Sequence, residues 1–219
     1  MVKHNLQKFC TKICQSTFLV VLIFTASVCH AGNQKEEQLS HSVKALMQKS
    51  ISDLGAPKLM FASDIEGQAW LAEMSERLKK RLPNQAYREE FLRSVHYEAT
   101  RAGLDPQMVL GLIQVESAFK KYAVSSVGAR GYMQVMPFWV KSIGTPDQNL
   151  FHLKLNLRYG CTILRHYIDI ERGDLYRALG RYNGSLGKPQ YPNLVLGAWR
   201  KNWDYAAPTL QSAAQASFK

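Results

Sequence analysis

A carboxylate occupies a position where the surrounding pattern calls for an apolar side chain. In the stretch 105–119, DPQMVLGLIQVESAF, Val109, Leu112 and Ile113 recur at the spacing of one buried helical face. Glu116 continues this stripe, seven residues after the first of them. A carboxyl group on an apolar face loses hydration, which raises its pKa and lets it hold a proton near neutral pH. Such a group can act as a general acid and then as a general base.

A single glutamate of this kind also has a simpler explanation, in which Glu116 reaches solvent from the end of the stripe or pairs with Arg130. The residues that follow favour a binding function. The segment 128–137, GARGYMQVMP, places two glycines three residues apart, and glycines let the backbone approach a bulky ligand closely. Gln134 offers a donor and an acceptor to an acetamido or hydroxyl group, and Met136 can pack on a sugar face.

Tyr182 repeats the logic of Glu116 near the end of another predicted helix. It continues an apolar stripe of Leu175, Ala178 and Leu179, while its hydroxyl needs a polar partner. The alternative for Tyr182 alone is a core aromatic residue. No histidine spacing matches a zinc site, and no phosphate-binding loop or nucleophile elbow is present in the sequence, so we expect no metal and no cofactor.

The elements that position these residues are all predicted to be helices. Apolar residues at helical spacing predict helices over residues 37–52, from a capping box at 63–66 to Leu82, from Tyr87 to about residue 102, and over the Glu116 stretch. A short helix after Pro137, a long one over about 154–171, and two more that carry Tyr182 and Trp199 follow. Since no segment alternates with period two, the expected fold class is all-α.

The motifs together resemble the catalytic domain of SLT-type soluble lytic transglycosylases, which belong to the lysozyme-like superfamily. The resemblance spans roughly Tyr87 to Trp203. Its motifs, in order, are Glu116-Ser117, then GARGYMQVMP over 128–137, then Asn156-Leu157 with Gly160, then Ala178-Leu179 with Tyr182-Asn183-Gly184.

The resemblance implies an exported enzyme that cleaves the β-1,4 bond between N-acetylmuramic acid and N-acetylglucosamine in peptidoglycan, forming a 1,6-anhydromuramyl end. It implies a lysozyme-like helical domain in which Glu116 is the catalytic acid and base. The substrate-binding residues that it implies are Ser117, Ser125, Gln134, Met136, Tyr182 and Asn183. Two alternatives remain, namely a lysozyme-type hydrolase and a non-catalytic peptidoglycan-binding module of the same fold.

The loop after the Glu116 helix helps to choose among these reactions. No Asp or Glu lies between Ala118 and Pro146, whereas hydrolysis in its usual form uses two carboxylates. A single acid favours the transglycosylase route, in which a tethered hydroxyl replaces water. Asp147, Asp169, Glu171 and Asp174 remain available as more distant acids.

The beginning of the chain has the pattern of a secretory signal peptide. Three Lys residues precede an apolar run from Phe18 to Val28, and small residues favour cleavage after Ala31. A weaker alternative is a lipoprotein acylated at Cys29. The predicted domains are a signal peptide (1–31), an N-terminal helical extension (32–86), the lysozyme-like SLT domain (87–205) and a flexible tail (206–219).

The net charge is +11 for the full chain and falls to +8 when the three signal-peptide lysines are removed. A basic chain favours an anionic partner. Peptidoglycan glycan strands with acidic stem peptides are the expected partner, whereas an exported chain without a nucleic-acid-binding motif is not expected to bind nucleic acid. We therefore expect a periplasmic protein, outer-membrane associated if Cys29 is lipidated; the oligomeric state stays open.

Overall fold

The computed structural model of this protein describes residues 34–53, 55 and 58–206, and the regular secondary structure of these residues is helical. This confirms the predicted all-α class. Their helices are α1 (His41–Ser52), α2 (Asp64–Leu78), α3 (Gln85–Arg101), α4 (Pro106–Ser117), α5 (Phe138–Ile143), α6 (Leu153–Ile170), α7 (Leu175–Asn183), α8 (Gln190–Ala198) and a π-helical turn, Trp199–Trp203. The predicted signal peptide with Cys29, and all of the predicted tail but Ala206, lie outside the described residues.

Side-chain caps mark where five of the described helices begin, and α2, α4 and α7 are among them. Ser63, Asp105 and Asp174 each accept a hydrogen bond from the backbone N–H three residues further along, at 3.2, 2.8 and 3.0 Å. Each cap satisfies an N–H group that has no partner within its helix. The capping box at 63–66 predicted the start of α2, and the structure confirms it.

Helix α6 lies at the centre of the core and contacts α1, α3 and α7. Its residues Leu157, Cys161 and Leu164 recur at helical spacing and are all fully buried. Burial raises the pKa of the Cys161 thiol, so this cysteine is a buried apolar residue and not a reactive thiolate. On the other side of the core, α4 packs against α8 and the π-helical turn.

The N-terminal extension shares this core. In α2, Trp70 and Met74 are buried in the same cluster as α6. In α1, Leu46 is 66% exposed while Met47 is 5% exposed. The buried face of α1 therefore includes Met47, and it continues to Ile51, four residues further.

The last predicted helix changes its winding near its end. Helix α8 stops at Ala198, and the π-helical turn that follows has a wider backbone. This turn is fastened to α4, because the Trp203 indole N–H donates to Gln114 Oε1 at 2.9 Å and the Asn202 side chain donates to the same atom at 3.2 Å.

Candidate active site

Glu116 lies in the last turn of α4, one residue before the helix ends. The three apolar residues that predicted its position, Val109, Leu112 and Ile113, are fully buried, and the Glu116 side chain is buried with them. Beyond Ser117 the chain leaves the helix through Ala118 and Phe119, which both have left-handed backbone angles (φ 50° and 64°). Two successive non-glycine residues in this region are costly, at about 1–2 kcal/mol each, so the turn beside Glu116 is strained.

The Glu116 carboxyl group is neutral near pH 7 in this environment. Burial raises its pKa from 4.5 to about 8, against the opposing effect of a hydrogen bond that the Tyr191 hydroxyl donates to Oε1. The other oxygen, Oε2, is buried and has no hydrogen-bond partner among the described residues. Arg130, the cation considered as a partner from the sequence, is exposed, and no ion pair to Glu116 occurs within the described part of the chain. The arrangement is that of a proton donor with one unengaged oxygen.

The glycine-containing segment folds back on itself beside α6. Val124 and Val135 each form an antiparallel bridge with Arg130. Gln134 is buried at a left-handed backbone angle (φ 47°), and its side-chain amide donates to the carbonyls of Ala123 (3.1 Å) and Gly131 (2.9 Å). The Gln134 side chain therefore connects two parts of the loop, while its backbone carbonyl accepts a hydrogen bond from the Gln34 side chain.

Asn156 of α6 fastens this loop to the core. Its side-chain oxygen accepts from the Met133 N–H at 2.8 Å, and its nitrogen donates to the carbonyls of Arg130 (2.9 Å) and Leu150 (2.8 Å). Gly131 must be a glycine here, because it has a φ of 76° and because a Cβ atom would lie 2.4 Å from the Asn156 amide nitrogen. Asn156 belongs to the Asn156-Leu157 motif of the resemblance, and in the structure its side chain binds the backbone of the loop.

Tyr182 connects the loop to the Glu116 side of the site. Its hydroxyl donates to the Met133 carbonyl at 2.7 Å. Burial raises the pKa of that hydroxyl well above its ordinary value, and the nearby Glu116 carboxylate adds to the effect. Asn183 follows it at the end of α7 and is 7% exposed. Glu116, Gln134 and Tyr182, far apart in sequence, thus belong to one neighbourhood.

The three remaining predicted substrate-binding residues differ in their contacts and burial. The Ser117 hydroxyl donates to the Ile113 carbonyl at 3.2 Å, within its own helix. The Ser125 hydroxyl accepts from the Ala129 N–H at 3.1 Å and so closes the loop. Met136 is half-buried at the end of that loop. The binding roles of all three stay predictions.

Two residues of the site were missed from the sequence. Tyr191 reaches Glu116 from α8 across 75 residues, and Gln34 reaches Met136 and Trp139 from the N-terminal side of α1 across more than 100. Neither lies on a recognisable local motif. Tyr191 is an aromatic residue in the first turn of the observed α8, which is at most a weak signal, and Gln34 has no comparable feature.

Comparison with known proteins identifies the segment that carries this site. Residues 93–192 match the family model described as "Transglycosylase SLT domain". This segment, somewhat less than half of the chain, is similar to a transglycosylase SLT domain and is called the SLT domain below. It contains Glu116, Gln134, Tyr182 and Tyr191, and it lacks Gln34, which belongs to the N-terminal extension.

Several relatives of known name share parts of the SLT domain. A "Transglycosylase" of Enterobacteria phage PRD1 is 36% identical over 88 residues, which are 40% of this chain and 32% of the phage protein. "Membrane-bound lytic murein transglycosylase C" of Actinobacillus pleuropneumoniae serotype 5b is 48% identical over 48 residues (22% of this chain, 13% of the relative). The protein of the same name from Mannheimia succiniciproducens is 37% identical over 65 residues (30% and 16%). This chain thus matches a third or less of each relative's length.

Two further properties concern only the described residues. None of their helices is long and apolar enough to cross a membrane. In the same part of the chain, no group of three His, Cys, Asp or Glu side chains is placed to hold a metal ion.

Proposed function

We propose that this protein is a peptidoglycan lytic transglycosylase that cleaves the β-1,4 bond between N-acetylmuramic acid and N-acetylglucosamine. The observation that carries the proposal is the Glu116 carboxyl group. It is buried and protonated near neutral pH, its Oε2 atom has no hydrogen-bond partner among the described residues, and it lies within a segment that matches the SLT family. The names of the relatives support the same chemistry, since they are transglycosylases or lytic murein transglycosylases. Gln134, Met136, Tyr182 and Asn183 are proposed to line the sugar-binding cleft.

The proposed reaction needs one carboxyl group and no water. Glu116 donates its proton to the oxygen of the leaving N-acetylglucosamine as the glycosidic bond breaks, and the substrate's 2-acetamido group shields the positive charge that develops at the muramyl C1. The C6 hydroxyl oxygen of the same sugar then bonds to C1 and gives its proton to the Glu116 carboxylate. The acid is thereby restored, and the product carries a 1,6-anhydro ring. The nucleophile is already tethered, which favours it over bulk water.

The four acids beyond the loop that could supply a second carboxylate have other roles in the structure. Asp169 pairs with Arg165, and Asp174 caps α7. Glu171 pairs with two arginines of α7, while Asp147 is fully exposed and its pKa is lowered by a hydrogen bond with the Thr145 side chain. These placements favour the single-carboxylate reaction over hydrolysis with two carboxylates.

The proposed location is the bacterial envelope. The relatives named as membrane-bound lytic murein transglycosylases support it, as does the signal-peptide pattern of residues 1–31. We propose export to the periplasm, where peptidoglycan glycan strands are accessible.

Digestion of purified sacculi, with mass analysis of the released fragments, tests the function. The wild-type protein is expected to release muropeptides with 1,6-anhydro ends, and Glu116→Gln to release none, because an amide cannot donate the proton. Glu90→Gln, an exposed change in α3, is the matched control and should retain the wild-type rate. Reducing-end products without the anhydro ring would identify a hydrolase. Binding to sacculi with no released fragments would identify a binding module.

A further inference from the structure

The side chain of Gln34 is bound through both ends of its amide group. Its oxygen accepts from the Met136 backbone N–H at 3.3 Å and from the Trp139 indole N–H at 3.1 Å, and its nitrogen donates to the Gln134 carbonyl at 3.4 Å. The residue is 4% exposed, although it lies outside any helix and precedes α1 by seven positions. Two donors and one acceptor therefore converge on a single carboxamide.

This set of groups suits an acetamido group equally well. In both a carboxamide and an N-acetyl group, a carbonyl oxygen accepts hydrogen bonds beside a nitrogen that donates one. The groups that bind Gln34 come from the loop 134–136 and the first turn of α5, and this loop also meets Tyr182, whose pKa is influenced by both Glu116 and Gln34. The amide of Gln34 thus lies in the neighbourhood of the acid that is proposed to cleave an N-acetylated glycan.

A second contact holds the same segment down. Glu37 forms an ion pair with Arg181 Nη1 at 3.1 Å, and Arg181 is also held by Glu171 at 2.6 Å. Arg181 directly precedes Tyr182 on α7. Between the two contacts, residues 35 and 36 are exposed. Residues 34–37, here called the strap, therefore cross from the loop to α7 with attachment points at both ends.

We propose that Gln34 occupies an acetamido-binding site of the glycan cleft, so that the strap must leave before an N-acetylated glycan binds there. This inference rests on the proposed function for the nature of the glycan. The attachments suit a reversible contact. Hydrogen bonds of 3.1–3.4 Å are longer than the common value of about 2.9–3.0 Å, and Glu37 is 35% exposed in its ion pair, where salt screens the attraction.

Release of the strap does not require the rest of the extension to unfold. Helix α1 is anchored by Met47 and Ile51, which are 5% and 3% exposed. Both lie far along the chain from the strap, and Gln38, the residue after it, is exposed. The strap can therefore move while α1 stays packed.

The test measures binding of tri-N-acetylchitotriose to the intact protein, followed by the NMR signal of the Trp139 indole N–H. Cellotriose, a neutral trisaccharide without acetamido groups, is the ligand control. Gln34→Ala removes the competing amide and is expected to bind the acetylated sugar at least about threefold more tightly than wild type. A strap that fills the site nine-tenths of the time raises the apparent Kd about tenfold. Gln38→Ala, the matched control, should bind as wild type does.

The second attachment supplies an independent pair of variants. Glu37→Gln breaks the ion pair with Arg181 and should also tighten binding of the acetylated sugar, whereas Glu36→Gln, an exposed neighbour, should not. Added salt should reduce the difference between Glu37→Gln and wild type, because screening weakens the ion pair that the variant lacks.

Three outcomes would contradict the proposal that the strap occupies the acetamido-binding site. They are equal affinity of Gln34→Ala and wild type, weaker binding by Gln34→Ala, and an indole signal that responds to cellotriose as strongly as to the acetylated sugar. Sacculus digestion by the wild-type protein reports on the proposed function separately. If any of these outcomes occurs while sacculus digestion still yields anhydro products, the proposed function stands and only the proposal about the strap is contradicted.

Discussion

At the scale of single residues, the site depends on Glu116, an ionisable residue that is buried among apolar side chains. Glu116 takes a position on α4 that an apolar residue would fill more stably, and its Oε2 atom has no hydrogen-bond partner in the described structure. The local stripe was enough to predict this burial from sequence. The opposing hydrogen bond from Tyr191 was not predictable, because no periodic pattern connects residues 75 positions apart.

The burial of Glu116 predicts a pH-dependent cost in stability. Its pKa is about 8 in the folded protein, against 4.5 for an exposed glutamate in an unfolded chain. Between these values the folded state holds more protons than the unfolded chain, so stability is fully present below about pH 4.5 and falls as the pH rises towards about 8. The full difference corresponds to an upper limit of about 5 kcal/mol. Glu116→Gln cannot ionise and avoids this loss.

Thermal or urea unfolding of wild type and Glu116→Gln at pH 5 and at pH 9 measures this effect. The variant should gain stability relative to wild type as the pH rises, by a few kcal/mol across the range. Glu90→Gln, which replaces an exposed carboxylate, should show little change. A constant difference between Glu116→Gln and wild type at the two pH values would mean that Glu116 ionises as freely as an exposed residue.

At the scale of elements, the loop 123–137 has a defined conformation because it packs tightly against α6. Gly160 of α6 lets Met133 approach, since a Cβ atom there would lie 2.3 Å from the Met133 sulphur. Sequence patterns located both the loop and the helix. The patterns did not predict the close approach, the π-helical turn or the choice of Met47 over Leu46, because tertiary contacts decide these features.

Two helical glycines therefore differ in their response to the same substitution. Gly160→Ala should destabilise the protein by about 1–3 kcal/mol, because the added methyl group overlaps Met133 in a filled core. Gly197→Ala, in α8, meets nothing within 4 Å and should be neutral or stabilising by up to about 1 kcal/mol, because alanine favours helix. Denaturant unfolding of the two variants checks this. Equal effects at both positions would show that the contact between α6 and the loop is not tight.

At the scale of the whole molecule, the hydrophobic core includes residues that lie outside the segment matched by the family model. The SLT match begins at residue 93, but buried residues of α1 and α2 belong to the same hydrophobic cluster as α6. The sequence patterns predicted helices within residues 32–86 and assigned them to an N-terminal extension. Its periodicity could not show what those helices pack against, since an apolar face is compatible with any apolar partner. The contacts of Gln34 were unpredictable because their partners lie at least 100 residues away along the chain.

The shared core predicts that the extension and the SLT domain unfold together. Met74 lies outside the SLT match and is fully buried, as is Leu157 within it. Met74→Ala and Leu157→Ala should each cost about 2–5 kcal/mol, because each leaves a cavity in one common core. Ile65→Ala, at an 82% exposed position of α2, should stay within about 0.5 kcal/mol of wild type. Urea unfolding should show a single transition with an unchanged m value for all three variants, because one cooperative unit exposes the same surface in each. A separate early transition in Met74→Ala, with the later one unmoved, would instead show that the extension folds independently of the SLT domain.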